Sequence, residues 1–165
     1  MSYDRTVSLD DWILALHVLS AFAFVAGSVL FWVLIFAVRR TDTPHGTIQM
    51  GPIVKVGNGA VGIGAGGTIV LGIWLAFSYS GYDIWDAWIV AALVLWVAAA
   101  ATGSRTGREY MRGMRKAEEL EASGQTGPSA ELLALNRTRN GVLMHGLTSL
   151  LVLLILIDMV WKPGA

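Results

Sequence analysis

Four stretches of the chain contain no Asp, Glu, Lys or Arg: Trp12 to Val38, Val56 to Tyr82, Ala87 to Ser104, and Asn140 to Ile157. A helix rises about 1.5 Å per residue, so roughly 18 to 20 apolar residues cross the hydrocarbon core of a bilayer. Each stretch meets or approaches that length. The pattern predicts membrane helices at about 10–38, 53–80, 85–120 and 129–161, with loops at about 39–52 and 121–128 joining them on one side. The expected fold is all-α, a polytopic four-transmembrane-helix bundle that forms a single domain over 1–165. The first stretch follows Asp4, Asp10 and Asp11 rather than a basic cluster, and no small-residue cleavage site precedes Arg39 and Arg40. It therefore reads as a retained span, not a secretory signal.

Composition supports the membrane reading. Hydrophobic residues make up 55% of the chain and charged residues 15%, against roughly 25% charge in soluble domains. The 12 basic and 12 acidic residues cancel, so no global field points to nucleic acid. There is no cysteine, which excludes disulfides, thiolate metal sites and iron–sulfur clusters.

The distribution of charge says more than its sum. Arg39, Arg40 and Lys55 flank the first connection, and Arg105, Arg108, Arg112, Arg115, Lys116, Arg137 and Arg139 crowd the third. Arg5 and Lys162 lie on the other side, with Asp83 and Asp86. By the positive-inside rule both termini are expected outside a bacterial-type cytoplasmic membrane. Trp12, Trp85, Trp88 and Trp161 fall at the outer helix ends, where indole favours the interface. Beyond Ser104 the third helix is expected to continue as a charged segment to about Ala122, either solvated or in contact with anionic headgroups. Ser123 to Ser129 reads as a turn, with Pro128 placed to open the next helix.

Val56 to Gly72 reads VGNGAVGIGAGGTIVLG, and Gly57, Gly59 and Gly62 match the Gly-x-Gly-x-x-Gly of dinucleotide-binding loops. That motif needs a preceding strand and a soluble helix; here an apolar run continues through Phe77, so NAD is not expected. The alternative use of glycine is close helix packing. Gly57, Ala60, Gly64 and Gly67 recur at spacings of 3, 4 and 3, while Gly62 and Gly66 form Gly-x-x-x-Gly on a neighbouring face. A helix small on two sides is expected to touch two neighbours, or one neighbour and a flat ligand.

Titratable groups in hydrocarbon are functional candidates. His17 and His145 qualify, whereas Lys55, Arg105 and Asp158 sit at helix ends from which they can reach water. Imidazoles on facing helices are common haem ligands. Depths counted from Trp12 and Trp161 separate the two histidines by about 16 Å, whereas one iron holds its two axial nitrogens within about 4 Å. They are not expected to share an iron or any single metal. The same count places Ser28, Gly64 and Ala101 beside His145, and Phe77, Trp88 and Leu156 beside His17. His145 has two open roles: ligand or proton handling, with Arg137 and Arg139 available to pair an anion, or hydrogen-bonded packing.

Leu16, His17, Phe24, Ala26 and Gly27 in the first helix, and Met159 to Gly164 at the end, resemble the copper-resistance-D-like group of small membrane proteins. That group includes an uncharacterised family and the membrane protoporphyrinogen oxidase family. The resemblance implies that His17 is placed to bind haem or a metal. No cluster of His and Met suited to copper transport is present. The expected function is a membrane protein binding haem b or a porphyrin for redox chemistry, with His17 a ligand and His145 a separate ligand or relay. The alternatives are a structural or accessory subunit packed through the glycine-rich helix, or a small transporter. The expected partners are the lipid bilayer and either a second copy or a larger membrane complex.

Overall fold

The computed structural model describes residues 7–78 and 81–163. Asp4, Arg5, Gly164, and the 79–80 end of the second expected helix lie outside the described residues. Within them the chain is helical throughout: α1 (Leu9–Val38), α2 (Pro44–Ile48), α3 (Gly51–Ser78), α4 (Ala87–Ala122), α5 (Ala130–Asn136) and α6 (Arg139–Trp161). Four apolar helical spans, Leu9–Val38, Pro44–Ser78, Ala87–Ala122 and Ala130–Trp161, are long enough to cross a bilayer. Large apolar side chains such as Phe22, Ile63, Phe77 and Val160 lie on the outside. The protein is a multi-pass membrane protein built on four long helices.

Local chemistry sets the helix ends. Ser8 Oγ accepts from the Asp11 amide at 3.2 Å while the Asp11 carboxylate accepts from the Ser8 amide at 2.9 Å, a capping box that satisfies two end groups of α1. Thr43 caps α2 with Pro44 at its first position, so the first loop contains a short helix. The last span is two helices, α5 and α6, interrupted at Arg137 and Thr138. At the break, Arg39 Nη1 donates to the Arg137 and Thr138 carbonyls at 3.1 and 3.3 Å. Those carbonyls thereby gain partners outside the helical ladder.

The long helices form two antiparallel hairpins. α1 packs along α3 and α4 along α6, while the hairpins touch each other sparsely. The α1–α3 seam is the 3-4-3 row of small residues. A Cβ on Gly64 would lie 2.3 Å from Phe24 N, one on Gly67 2.3 Å from Ser20 Oγ, and one on Gly57 3.4 Å from the Phe31 ring. Gly27 reciprocates, since its Cβ would stand 2.7 Å from Val61 Cγ2 and 3.2 Å from Ala60 Cβ. With side chains absent, the backbones approach closely enough for dispersion to hold them. Gly62 and Gly66 are different, because a Cβ on either meets nothing within 4 Å.

With the chain termini placed at the top, the arginine-rich end at the bottom carries a cap of α2, α5 and the end of α4. Buried Asn136 donates from Nδ2 to Thr47 Oγ1 at 3.0 Å and to the Thr41 carbonyl at 3.2 Å. The Ser129 amide donates to the Asp42 carbonyl at 3.0 Å. Lys116 bridges Glu119 and Glu131 at 3.3 and 3.2 Å.

Candidate functional site

Because the hairpins meet sparsely, space remains between them. Phe24 packs with Ala99, Val152 and Ile155 near mid-depth, with Trp96 against this cluster. Above lies a cavity of about 620 Å³, and below one of about 520 Å³; Trp96 lines both. Either is large enough for a small ligand. Five buried side-chain atoms lack a hydrogen-bond partner among the described residues: His17 Nδ1, Trp88 Nε1, Trp96 Nε1, Tyr110 Oη and Asp158 Oδ2. All but Asp158 belong to residues lining a cavity. Buried polar groups in native proteins usually have partners, so their concentration here marks these spaces as binding candidates.

His17 lines the upper cavity with Thr68, Gly72, Trp88, Met159 and Lys162. Its ring lies against α3: a Cβ on Gly72 would stand 2.9 Å from Cε1 and 3.3 Å from Nδ1, so a methyl group there would push the imidazole aside. Nδ1 is buried beside Gly72 and has no hydrogen-bond partner among the described residues. The Thr68 hydroxyl is spent on the Gly64 carbonyl at 2.7 Å. At the top of the cavity Lys162 Nζ donates to Tyr82 Oη and lies 4.5 Å above the Tyr82 ring and 5.4 Å from that of Trp88.

His145 lines the lower cavity and is only 4% exposed. Its Nε2 lies 3.0 Å from the Ser28 carbonyl oxygen. A carbonyl only accepts, so Nε2 carries the proton and the free acceptor is Nδ1. The ring stands edge-on to Trp32 with centroids 4.8 Å apart. Trp32 Nε1 donates to Ser149 Oγ at 3.0 Å, and Ser149 Oγ donates to the His145 carbonyl at 2.9 Å. These bonds join α1 to α6, so His145 is a cross-hairpin packing residue that also faces a cavity.

The two histidines therefore belong to different cavities. Ser28 meets His145, and Trp88 and Leu156 line the His17 cavity, as the depth count expects, but Gly64 and Ala101 do not line the His145 cavity, and Gly72, not Phe77, meets His17; Phe77 is 73% exposed. Counting down from interfacial tryptophans fixes depth but not which face of a helix turns inward, and Phe77 lies on the outer face of α3. Arg137 and Arg139 line neither cavity. Arg137 Nε instead donates to the Arg39 carbonyl at 3.2 Å. Trp88 is buried against Tyr82, with ring centroids 5.1 Å apart, and is not an interfacial indole like exposed Trp12, Trp85 and Trp161. Asp158 is also buried, with Oδ2 enclosed and without a hydrogen-bond partner among the described residues. Met159 and Lys162 were not singled out as site residues by sequence; their one signal was their place in the Met159 to Gly164 ending. No group of three or more His, Asp or Glu able to hold a bare metal ion occurs among the described residues. Comparisons with protein-family models, curated proteins and solved structures find no match to this chain.

Proposed function

We propose that the protein binds haem b or a closely related porphyrin in the upper cavity, with His17 as a ligand to its iron, and serves redox chemistry in the membrane. The observation that carries this reading is the His17 site itself. An imidazole is held against Gly72, with Nδ1 buried and without a partner among the described residues, at the wall of a cavity of about 620 Å³. The other residues fit the group: Met159 offers a thioether of the kind that accompanies histidine in some haem proteins, and Lys162 offers a cation for a propionate. Bound haem would supply one-electron redox chemistry. The chain's own residues would fix the ring, keep water away and neutralise its carboxylates. The membrane is read as a bacterial-type cytoplasmic one with both termini outside, because ten of the twelve Lys and Arg residues lie toward the opposite end.

Visible absorption of the detergent-purified protein titrated with hemin tests this. A Soret band distinct from that of hemin in detergent alone is expected, lost in His17→Ala, weakened in Gly72→Ala and kept in His145→Ala. A spectrum indistinguishable from hemin in empty micelles sinks the proposal and leaves a cofactor-free structural subunit. Loss of the band in His145→Ala alone refutes His17 as the ligand.

A further inference from the structure

The lower cavity lies between α3 and α4, and both walls carry Gly-x-x-x-Gly. Gly62 and Gly66 face it from α3, and Gly103 and Gly107 face it from α4. Such motifs normally bring two membrane helices into contact. Here they do not: a Cβ on Gly62, Gly66 or Gly107 meets nothing within 4 Å, and one on Gly103 meets only Thr148 of its own hairpin, at 3.6 Å. The space between is a slot with two flat faces. Gly62, Ala100 and Gly107 line it and are also exposed, so it is open at its side.

Its chemistry is specific. No Lys, Arg, Asp or Glu lines it. A phosphate or carboxylate placed there would lose hydration with no cation to compensate, at a cost of several kcal/mol. The hydrogen-bonding groups are neutral. His145, more than nine-tenths buried, has Nε2 engaged by Ser28 and Nδ1 free as an acceptor. Asn58 adds an amide from α3, and Tyr110 contributes a buried unpartnered hydroxyl oxygen. Toward mid-bilayer the wall is apolar, with Phe24, Val61 and Ala99.

We infer that the lower cavity binds a quinone-class molecule: a flat, uncharged ring carrying carbonyl or hydroxyl groups on opposite edges and an apolar tail that leaves through the open side. The glycine faces take the ring; the Asn58 amide and the Tyr110 hydroxyl are the donors for a ring carbonyl of the oxidised form, and His145 Nδ1 is the acceptor for a ring hydroxyl of the reduced form. The assignment is independent of haem in the upper cavity.

The test is a titration of the full-length protein in detergent with decyl-ubiquinone, read by tryptophan fluorescence quenching and by the melting temperature. Trp96 in the slot reports directly. Saturable quenching and a rise in melting temperature are expected. Gly66→Leu has room for its side chain and fills the slot, so it should weaken binding by about tenfold or more, or 1.4 kcal/mol. Gly59→Leu on the same helix also meets open space but lines neither cavity, and should bind as the parent does. Ligand-free melting temperatures near the parent's show that both variants fold. Non-saturable quenching, or equal affinity in Gly66→Leu and the parent, overturns the inference. So does a Gly66→Leu change in oligomeric state without any response to decyl-ubiquinone, which would make the slot a contact for a second copy.

Discussion

Replacing Gly64 with alanine adds one methyl group where the α1 backbone already stands. The new Cβ would lie 2.3 Å from Phe24 N, 2.7 Å from Phe24 Cα and 2.8 Å from the Ser20 carbonyl oxygen. Ordinary contact begins near 3.4 Å, so α1 must withdraw by about 1.1 Å, the difference between 3.4 and 2.3 Å. The clashing atoms are helix backbone, which no rotamer change can move aside. A radial gap of 0.5–1 Å forfeits about a quarter to a half of the dispersion energy at each contact, and the loss spreads along the seam through Gly57, Ala60 and Gly67. Overpacking of a close-packed site costs about 1–3 kcal/mol, and a backbone clash belongs at the upper end, about 3 kcal/mol. Gly62→Ala is the matched control two residues earlier: its methyl meets nothing within 4 Å and gains about 0.8–1 kcal/mol of helix propensity. The two substitutions are chemically identical and sit in one helix, so the propensity gain is common to both and the clash alone should separate them, by about 3 kcal/mol. Far-UV circular dichroism during SDS-induced unfolding in mixed micelles measures the difference. A gap below about 1 kcal/mol would refute the assignment of the α1–α3 seam to Gly64.

The cap at the arginine-rich end depends on Asn136, which is 1% exposed. Asn136→Ala removes its bonds to Thr41 and Thr47 and should cost about 2 kcal/mol, with faster limited proteolysis of 39–50 and 123–130; unchanged unfolding and cleavage would show that the cap is held by other contacts. Membrane orientation can be tested directly because the chain has no cysteine. In intact bacterial cells a membrane-impermeant maleimide should label Trp85→Cys but should reach Gln125→Cys only after permeabilisation, and the reverse pattern would invert the topology.

The four spans were legible because bilayer thickness imposes a length that few other structures need. The seam was legible too, since small residues at 3-4-3 spacing on an apolar helix have few uses besides close approach. Sequence did not show which small face would close: Gly64 and Gly66 are chemically identical, and only the position of α1 makes one a contact and the other a cavity wall. Trp88 and Asp158 illustrate a related limit. Both lie near helix ends, where indoles and carboxylates usually face the interface, and both are buried, Trp88 with Tyr82 and Lys162 drawn over it. The break at Arg137 was hidden for a similar reason: Arg39, distant in sequence, satisfies the carbonyls that the interruption exposes.

The division into hairpins has a consequence for biogenesis. α1 and α3 make their close contacts within residues 9–78, and α4 and α6 make theirs within 87–161. Among the described residues, and apart from Lys162–Tyr82 at the α3–α4 connection, the side-chain hydrogen bonds between the two halves gather below mid-depth, among them Ser28–His145, Trp32–Ser149, Arg39–Arg137 and Asn136–Thr47. Each half can therefore leave the insertion machinery with its tightest interface formed, the second needing from the first only Arg39 for the carbonyls at the α5–α6 break. Joining the halves is then a docking step guided from one end. Coexpressed fragments separated between α3 and α4 would retain all the contacts that each half needs for insertion, and the polar stitches for finding the other.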